Sequence, residues 1–277
     1  MSAATPMPDV DVIIVAHDSG AALEDAVASA EGQVATGRVV IVDAGSVDGA
    51  VEAVAAAHPG VRVIRTDNRG FAAGNNAGLI STCGEFVLLL NPDAVLDERS
   101  LRTLVARAKS NRTAAIVAPL VTDPDGTTQA GSFGSFPTLR TTLVARGNAI
   151  LNRMSGGRVA RPHVLHGTTP IDWVTGACML VRRAAIEKVG PMDEGFFLYY
   201  EDVEWCHRMR DAGWNVLIEP TATCVHARGG SGGGDTAAAQ EAYRTSLYRY
   251  CGLYHLRMFA LAARIGLTVR VAAGGRG

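Results

Sequence analysis

Several short clusters in this chain combine residue types that bind phosphate-bearing ligands or move protons. Asn91-Pro92-Asp93 directly follows the apolar run Phe86-Val87-Leu88-Leu89-Leu90. A carboxylate at the end of a buried strand, facing a ligand crevice, suits Mg²⁺ or Mn²⁺. Such ions take one or two protein ligands and complete their shell with phosphate oxygens and water. His226 follows the short β-branched run Thr223 to Val225 and precedes a glycine run. Imidazole suits Mn²⁺ and similar ions, so His226 can complete a site begun by Asp93. Each also has a plain structural reading. Asn-Pro initiates turns, and a histidine at a strand end can cap a core or face solvent.

Glu201-Asp202-Val203-Glu204 opens a helical pattern after the aromatic run Phe196-Phe197-Leu198-Tyr199-Tyr200. Carboxylates at a helix N-terminus are stabilised by the macrodipole. Adjacent carboxylates beside an aromatic wall also make a good general base and hydroxyl-orienting pair. The stretch from Asn68 to Gly78 (NRGFAAGNNAG) has glycines that permit close backbone approach and amides that can bond ribose or phosphate oxygens; it also reads as a tight strand-to-helix turn. The two common phosphate-cradling loops are absent: the turn after the first apolar run is AHDSGAA, not GxGxxG, and no GxxxxGK[ST] occurs. A bound nucleotide therefore needs its diphosphate neutralised another way, and a divalent cation is the obvious one.

The elements that must position these residues alternate. Val10 to Val15, Arg38 to Val42, Val61 to Ile64, Phe86 to Leu90 and Ala115 to Ala118 read as buried strands. Helical spacing covers Ala21 to Ala30, a stretch through Val51, Val54 and Ala55, and Ser100 to Lys109. This alternation predicts a doubly wound, mainly parallel α/β sheet. Ligands of such sheets sit at the carboxyl ends of the strands. The loops there hold Asp18, Asp43, Asp67 and Asp93, at least one carboxylate each. Aspartate is also a turn former, so their coincidence with one edge is the informative feature.

From Thr122 the pattern changes. Asp123-Pro-Asp-Gly126 reads as a hairpin tip, and Gly131 to Pro170 as a long excursion over the site. A helix over Asp202 to Asp211, short strands at Val216–Ile218 and Thr223–Val225, a flexible Gly229 to Gly234, and a long helix over Thr236 to Leu261 complete the reading. The expected division is a domain over 1–235, in halves at 9–120 and 121–235, followed by a C-terminal helical extension at 236–277.

Bulk properties agree with a folded enzyme-sized unit. The 277 residues are 48% hydrophobic and 19% charged, with a formal net charge of −1. No basic field points to nucleic acid. Cys83, Cys178, Cys206, Cys224 and Cys251 are an odd, scattered set, better read as reduced thiols than as a disulfide or zinc framework. No leader pattern opens the sequence, and no run reaches the ~18–20 apolar residues that span a bilayer, so a cytoplasmic setting is expected. Arg249, Arg257, Arg264 and Arg270 punctuate an apolar tail from Leu247 to Val271. That tail reads as an interfacial helix on the inner face of the plasma membrane, as ordinary packing, or as a homodimer contact.

Together, VDVIIVAHDSG, IVDAGSVDG, NRGFAAGNNAGL, LLLNPDA, WVTGACMLVRR, GPMDEGFFLYYEDVEWCHRMRDAGW and VHARGGS, in this order from Val10 to Tyr250, resemble the inverting family 2 glycosyltransferases of GT-A fold. The similarity is greatest to their rhamnosyltransferase-like subgroup. The resemblance implies a small second sheet and a C-terminal helix beside the main sheet. It also makes 9–120 the nucleotide-sugar half and 121–235 the acceptor half, and it implies roles. Asp43 would hold the nucleobase; Ala16, Asp18, Asn68, Gly70, Asn75 and Asn91 would join it in binding the nucleotide sugar. Asp93 and His226 would hold Mg²⁺ or Mn²⁺ at the diphosphate. Asp202 would be the general base, Glu201 would orient the acceptor, and Trp173 and Gly176 would form the acceptor-side wall. The implied partners are a nucleotide-diphosphate sugar, with dTDP-rhamnose foremost, and a glycan or polyprenyl-linked acceptor. Three positions depart from the usual pattern: Asn91 stands first in Asp-x-Asp, Ala44 follows the second-strand aspartate, and His17-Asp18 replaces Tyr-Asn. A nucleotidyltransferase of related fold, or a non-catalytic nucleotide-sugar-binding module, are the competing readings. The first usually carries a basic glycine-rich loop that AHDSGAA lacks, and the second would dispense with Asp93 or Asp202.

Overall fold

In a computed structural model of the chain, residues 7, 9–137, 165, 167–227 and 236–254 are described. The expected Gly229 to Gly234 stretch, most of the Gly131 to Pro170 excursion and the tail beyond 254 lie outside them.

The first half runs β1 (Val10–Ala16), α1 (Ala22–Glu31), β2 (Val39–Asp43), α2 (Ala50–Ala57), β3 (Arg62–Arg65), α3 (Phe71–Ile80), β4 (Phe86–Leu90), β5 (Ala94–Leu96), α4 (Ser100–Ser110) and β6 (Ala114–Thr122). The second half adds β7 (Phe133–Gly134), β8 (Thr169–Ile171), β9 (Trp173–Val174), β10 (Cys178–Arg182), α5 (Arg183–Val189), α6 (Glu201–Asp211), β11 (Asn215–His226) and α7 (Ala237–Leu253). The large sheet has the order β3-β2-β1-β4-β10-β6-β11-β5, with β8 also on β11. Strands β3, β2, β1 and β4 are parallel, as predicted. Strand β10 enters antiparallel between β4 and β6, so the 9–120 and 121–235 halves share one sheet. A small antiparallel sheet, β7 with β9, stands beside it.

Alternation along β1 explains the layering. Val10, Val12 and Ile14 pack with α1 and α4 on one face, while Ile13 packs on the other with Ala72 and Leu79 of α3 and Trp205 and Met209 of α6. Strands buried on both faces show unbroken apolar runs rather than alternation, which is why these strands were readable.

Helix α3 was read only as a turn. Its Gly74 and Gly78 are poor helix formers. They are there because the helix lies close on β1: a Cβ at Gly74 would stand 2.6 Å from Val15 Cγ1. The two short strands expected at Val216–Ile218 and Thr223–Val225 are one strand, β11, whose register shifts between Glu219 and Thr223 around Pro220. Helix α7 begins at the expected place, where the Thr236 side chain accepts a hydrogen bond from the Ala239 amide. Four of the five cysteines are buried and Cys83 is exposed. No helix among the described residues is long and apolar enough to cross a membrane.

Candidate active site

Parallel register places the carboxyl ends of β1, β2 and β4 at one sheet edge: Ala16 lies opposite Asp43, and Ile14 opposite Leu90. Asp43, the last residue of β2, is 2% exposed. Its Oδ1 accepts the Ser46 amide at 2.9 Å and its Oδ2 accepts Arg65 Nη1 at 3.0 Å. Arg65 was not singled out in the sequence; the register of β3 on β2 puts it beside Asp43. The loops after β1 and β2 are laced together. The Asp18 amide donates to Ser46 Oγ at 3.2 Å, the Val47 amide donates to Asp18 Oδ1 at 2.8 Å, and the Gly20 amide donates to Asp48 Oδ2 at 2.8 Å. Asp18 takes a left-handed φ of 46° to do this. Burial of the His17 ring nitrogen Nδ1 leaves it without a hydrogen-bond partner among the described residues.

Asn68 and Gly70 form the turn into α3, where the Gly70 amide donates to Asn68 Oδ1 at 3.1 Å. Gly70 has φ 96°, and a Cβ there would stand 2.2 Å from the Phe197 carbonyl oxygen. The turn therefore presses backbone to backbone against the segment leading to Asp202. Asn75, expected to line the nucleotide pocket, is 1% exposed, and its Nδ2 donates to the Phe71 carbonyl at 2.9 Å. Its neighbour Asn76 belongs to the same amide-bearing stretch. It exchanges two hydrogen bonds with the Met192 backbone, at 2.9 and 3.0 Å.

The Asn91-Pro92-Asp93 cluster and His226 meet because β5 and β11 pair antiparallel, with Ala94 opposite His226. Asp93 is 4% exposed, and its Oδ1 lies 3.1 Å from His226 Nε2. Asn91 Nδ2 is 3.2 Å from the same nitrogen. Gln129 fixes the imidazole. Its Nε2 donates to Asp123 Oδ1 and to the His226 carbonyl, which leaves its Oε1, 2.8 Å from His226 Nδ1, as the acceptor of the Nδ1 proton. In the neutral ring, Nε2 then carries the lone pair, with the Asn91 Nδ2 donor at 3.2 Å and Asp93 Oδ1 at 3.1 Å. Gln129 lies on the return side of the predicted hairpin, where sequence gave no chemical role.

This donor set fits a divalent cation. Octahedral Mg²⁺ holds ligands at about 2.0–2.1 Å, so two ligands at right angles stand about 3.0 Å apart. The carboxylate oxygen and imidazole nitrogen have that spacing. The buried Asn91 Oδ1 also has no hydrogen-bond partner among the described residues.

Asp202 lies in the first turn of α6. Its Oδ2 accepts the Gly176 amide at 2.9 Å and its Oδ1 accepts the Val203 amide at 2.8 Å. The next residue, Ala177, accepts the Asn91 amide at 2.9 Å. One backbone–backbone hydrogen bond and one amide-to-carboxylate hydrogen bond thus connect the Asn91 end to Asp202. Glu201 is 4% exposed, and its Oε2 has no partner among the described residues. Burial, and then the charge of Asp202, hold the Glu201 carboxyl well above the usual carboxylate range. Burial also raises Asp202, opposed by the Gly176 and Val203 amides. Two adjacent carboxyls in such surroundings favour a protonated Glu201 beside an ionised Asp202. Trp173 stands in the small sheet, its indole Nε1 donating to the Ser135 carbonyl at 3.1 Å. Two residues before α6, the chain enters a left-handed conformation that no sequence pattern announced: Tyr199 and Tyr200 have φ of 67° and 68°.

Comparison with known proteins gives the family of the chain. The family model described as "Glycosyl transferase family 2" matches residues 11–190. The chain is 31% identical over 267 residues to the N-acetylglucosaminyl-diphospho-decaprenol L-rhamnosyltransferase of Mycobacterium tuberculosis, covering 90% of this chain and 86% of the relative. Among solved structures, GalNAc-T7 with UDP, GalNAc and Mn²⁺ superposes with a TM-score of 0.59 at 17% identity, over 80% of this chain and 44% of that one. The mannosyltransferase PcManGT from Pyrobaculum calidifontis, in complex with GDP-Man and Mn²⁺, gives 0.56 at 18% identity, over 80% and 58%. The chain therefore belongs to glycosyl transferase family 2, as a rhamnosyltransferase-like glycosyltransferase of GT-A fold.

Proposed function

We propose that the protein transfers L-rhamnose from dTDP-rhamnose, with inversion, to a hydroxyl of a glycan or polyprenyl-linked acceptor. The observation that carries the mechanism is the Asp93–His226 pair, whose oxygen and nitrogen face each other at 3.1 Å with the ring oriented by Gln129. Support for the sugar and for the lipid-linked acceptor class comes from the M. tuberculosis relative.

Asp43 and its Arg65 partner lie where they can hold the nucleobase end, with Ala16 and Asp18 beside them. Asn68, Gly70 and Asn91 carry the donor between that end and Asp93. Asp93 and His226 would hold Mg²⁺ or Mn²⁺. A cation of this type, when bound, neutralises the diphosphate and so improves it as a leaving group, a contribution of several kcal/mol. Asp202, ionised and held by two amides, accepts the proton of the acceptor hydroxyl as its oxygen attacks the anomeric carbon from the side opposite the diphosphate. General base catalysis of this kind is worth about 10²–10⁴-fold. Glu201, neutral, supplies an O–H to orient the acceptor, and Trp173 and Gly176 bound that side. A single displacement inverts the anomeric configuration, and no nucleophilic carboxylate takes part. The basic tail would hold the protein peripherally at the inner membrane surface, where a polyprenyl-linked acceptor resides.

Screening a panel of nucleotide sugars for Mn²⁺-dependent nucleotide release tests the donor. Release from dTDP-rhamnose above UDP-galactofuranose, GDP-mannose and UDP-N-acetylhexosamines supports the proposal; preference for any of the others replaces rhamnose.

A further inference from the structure

The segment 193–200 joins α5 to α6 and delivers Glu201 and Asp202. Its last two residues, Tyr199 and Tyr200, are bulky and left-handed, with φ of 67° and 68°. Such residues keep this conformation only where their surroundings impose it. On one side the segment is fastened to the donor half: the Phe71 amide donates to the Phe197 carbonyl at 2.9 Å, and Arg69 Nη2 donates to Glu194 at 2.8 Å. On the other side the partner is the C-terminal helix α7. Ser246, 3% exposed, donates its hydroxyl to the Leu198 carbonyl at 2.8 Å. The Tyr243 and Tyr200 hydroxyls are 3.2 Å apart, and the Tyr243 ring meets Tyr199 and Tyr200 edge-on at 5.8 and 5.4 Å. Arg249 grips both oxygens of Asp193 through Nη2, at 3.0 and 2.7 Å, and lies 5.1 Å from the Phe196 ring centre. Residues 243, 246 and 249 recur every three, so one face of α7 makes all these contacts.

We propose that α7 is a positioning element for the base. Its Tyr243 and Ser246 hold Tyr199–Tyr200 left-handed and so set the direction in which Asp202 meets the acceptor hydroxyl. The proposal rests on the reading of Asp202 as the base. It goes further in assigning to the C-terminal helix a part in the chemistry rather than a cover for apolar surface.

The test uses the full chain with Ser246→Ala, Tyr243→Phe and the double variant. A control, Val54→Ala, sits in α2, in the core layer opposite the one that holds Trp205 and Met209 of α6. Transfer is followed with dTDP-L-rhamnose, Mn²⁺ and an N-acetylglucosaminyl diphospholipid, and hydrogen exchange is measured on residues 198–203 and 70–76. Small displacements of a reacting group cost up to about 100-fold. The double variant should lose at least about tenfold in kcat with donor KM within about twofold. Its amides at 198–203 should exchange faster while those at 70–76 do not change. The single Tyr243→Phe, which keeps the ring, should fall between. A kcat within about twofold of the parent, or no lower than in Val54→Ala, overturns the proposal. So does unchanged exchange at 198–203, which reads the same way whatever the donor. Should Asp202→Asn retain turnover, the base assignment fails and takes this proposal with it. An inactive Asp202→Asn beside a fully active double variant removes the positioning role alone.

Discussion

The Gly176 amide donates a 2.9 Å hydrogen bond to Asp202 Oδ2. Gly176 stands beside Ala177, whose carbonyl accepts the Asn91 amide, so the acidic residue of α6 is tied through β10's approach to the end of β4. Residues remote in sequence thus share one sheet edge.

Asp202→Asn keeps the shape and removes the basicity. Transfer should fall by about 10²–10⁴-fold, the usual worth of a general base. Donor nucleotide affinity, measured by titration calorimetry, should stay within about twofold, because no nucleotide-facing group is altered. Retained turnover would remove Asp202 from this role.

The pH profile should show an elevated acid limb. Asp202's pKa is raised above its ordinary value of 3.8 by burial. A base must be ionised to accept a proton, so kcat/KM should fall as pH drops through that raised value, earlier than for an ordinary aspartate. A profile flat down to pH 4 would contradict the assignment.

A second pH effect concerns stability. His58 bridges α1 and α2, with Nδ1 2.5 Å from Glu31 and Nε2 2.8 Å from Glu24. Hydrogen bonds to Glu24 and then Glu31 raise its pKa above 6.5. The contribution is fully present below the unfolded-state pKa and is lost as pH rises through the raised folded value. Glu24 is half-exposed, so the worth is about 1 kcal/mol at most. His58→Gln should lower the unfolding midpoint at pH 5.5 and leave it nearly unchanged at pH 9. Equal losses at both would show that the charge of His58 is irrelevant.

The basic tail makes a prediction of its own. Full-length protein should float with anionic liposomes, and truncation after Gly252 should abolish this. Recovery of both forms in the soluble fraction would reject membrane association. Arg249, one of the arginines read as membrane-facing, is engaged with Asp193 and Phe196. Any such role falls to the residues beyond it.

The donor half was legible because parallel strands buried on both faces leave continuous apolar runs, and because their loops open at one edge. What the sequence could not show depends on contacts between remote segments. Gly74 reads as a helix breaker until the side chain of Val15 is seen against it. Gln129 reads as a turn residue until antiparallel pairing brings His226 to Asp93 and places Gln129 behind the ring. Arg65 is an ordinary strand-end arginine until the register of β3 sets it against Asp43. Tyr199 and Tyr200 carry no signal for a left-handed backbone, because their neighbours and α7 impose it.

In the proposed mechanism Asp93 and His226 jointly hold a cation at the donor diphosphate. The most direct test is calorimetric titration of dTDP into the parent, Asp93→Ala and His226→Ala proteins, each with and without Mn²⁺. The parent should gain at least about tenfold in affinity with Mn²⁺, about 1.4 kcal/mol, and either substitution should remove that gain while leaving metal-free binding unchanged. Equal Mn²⁺ enhancement in all three proteins would contradict it.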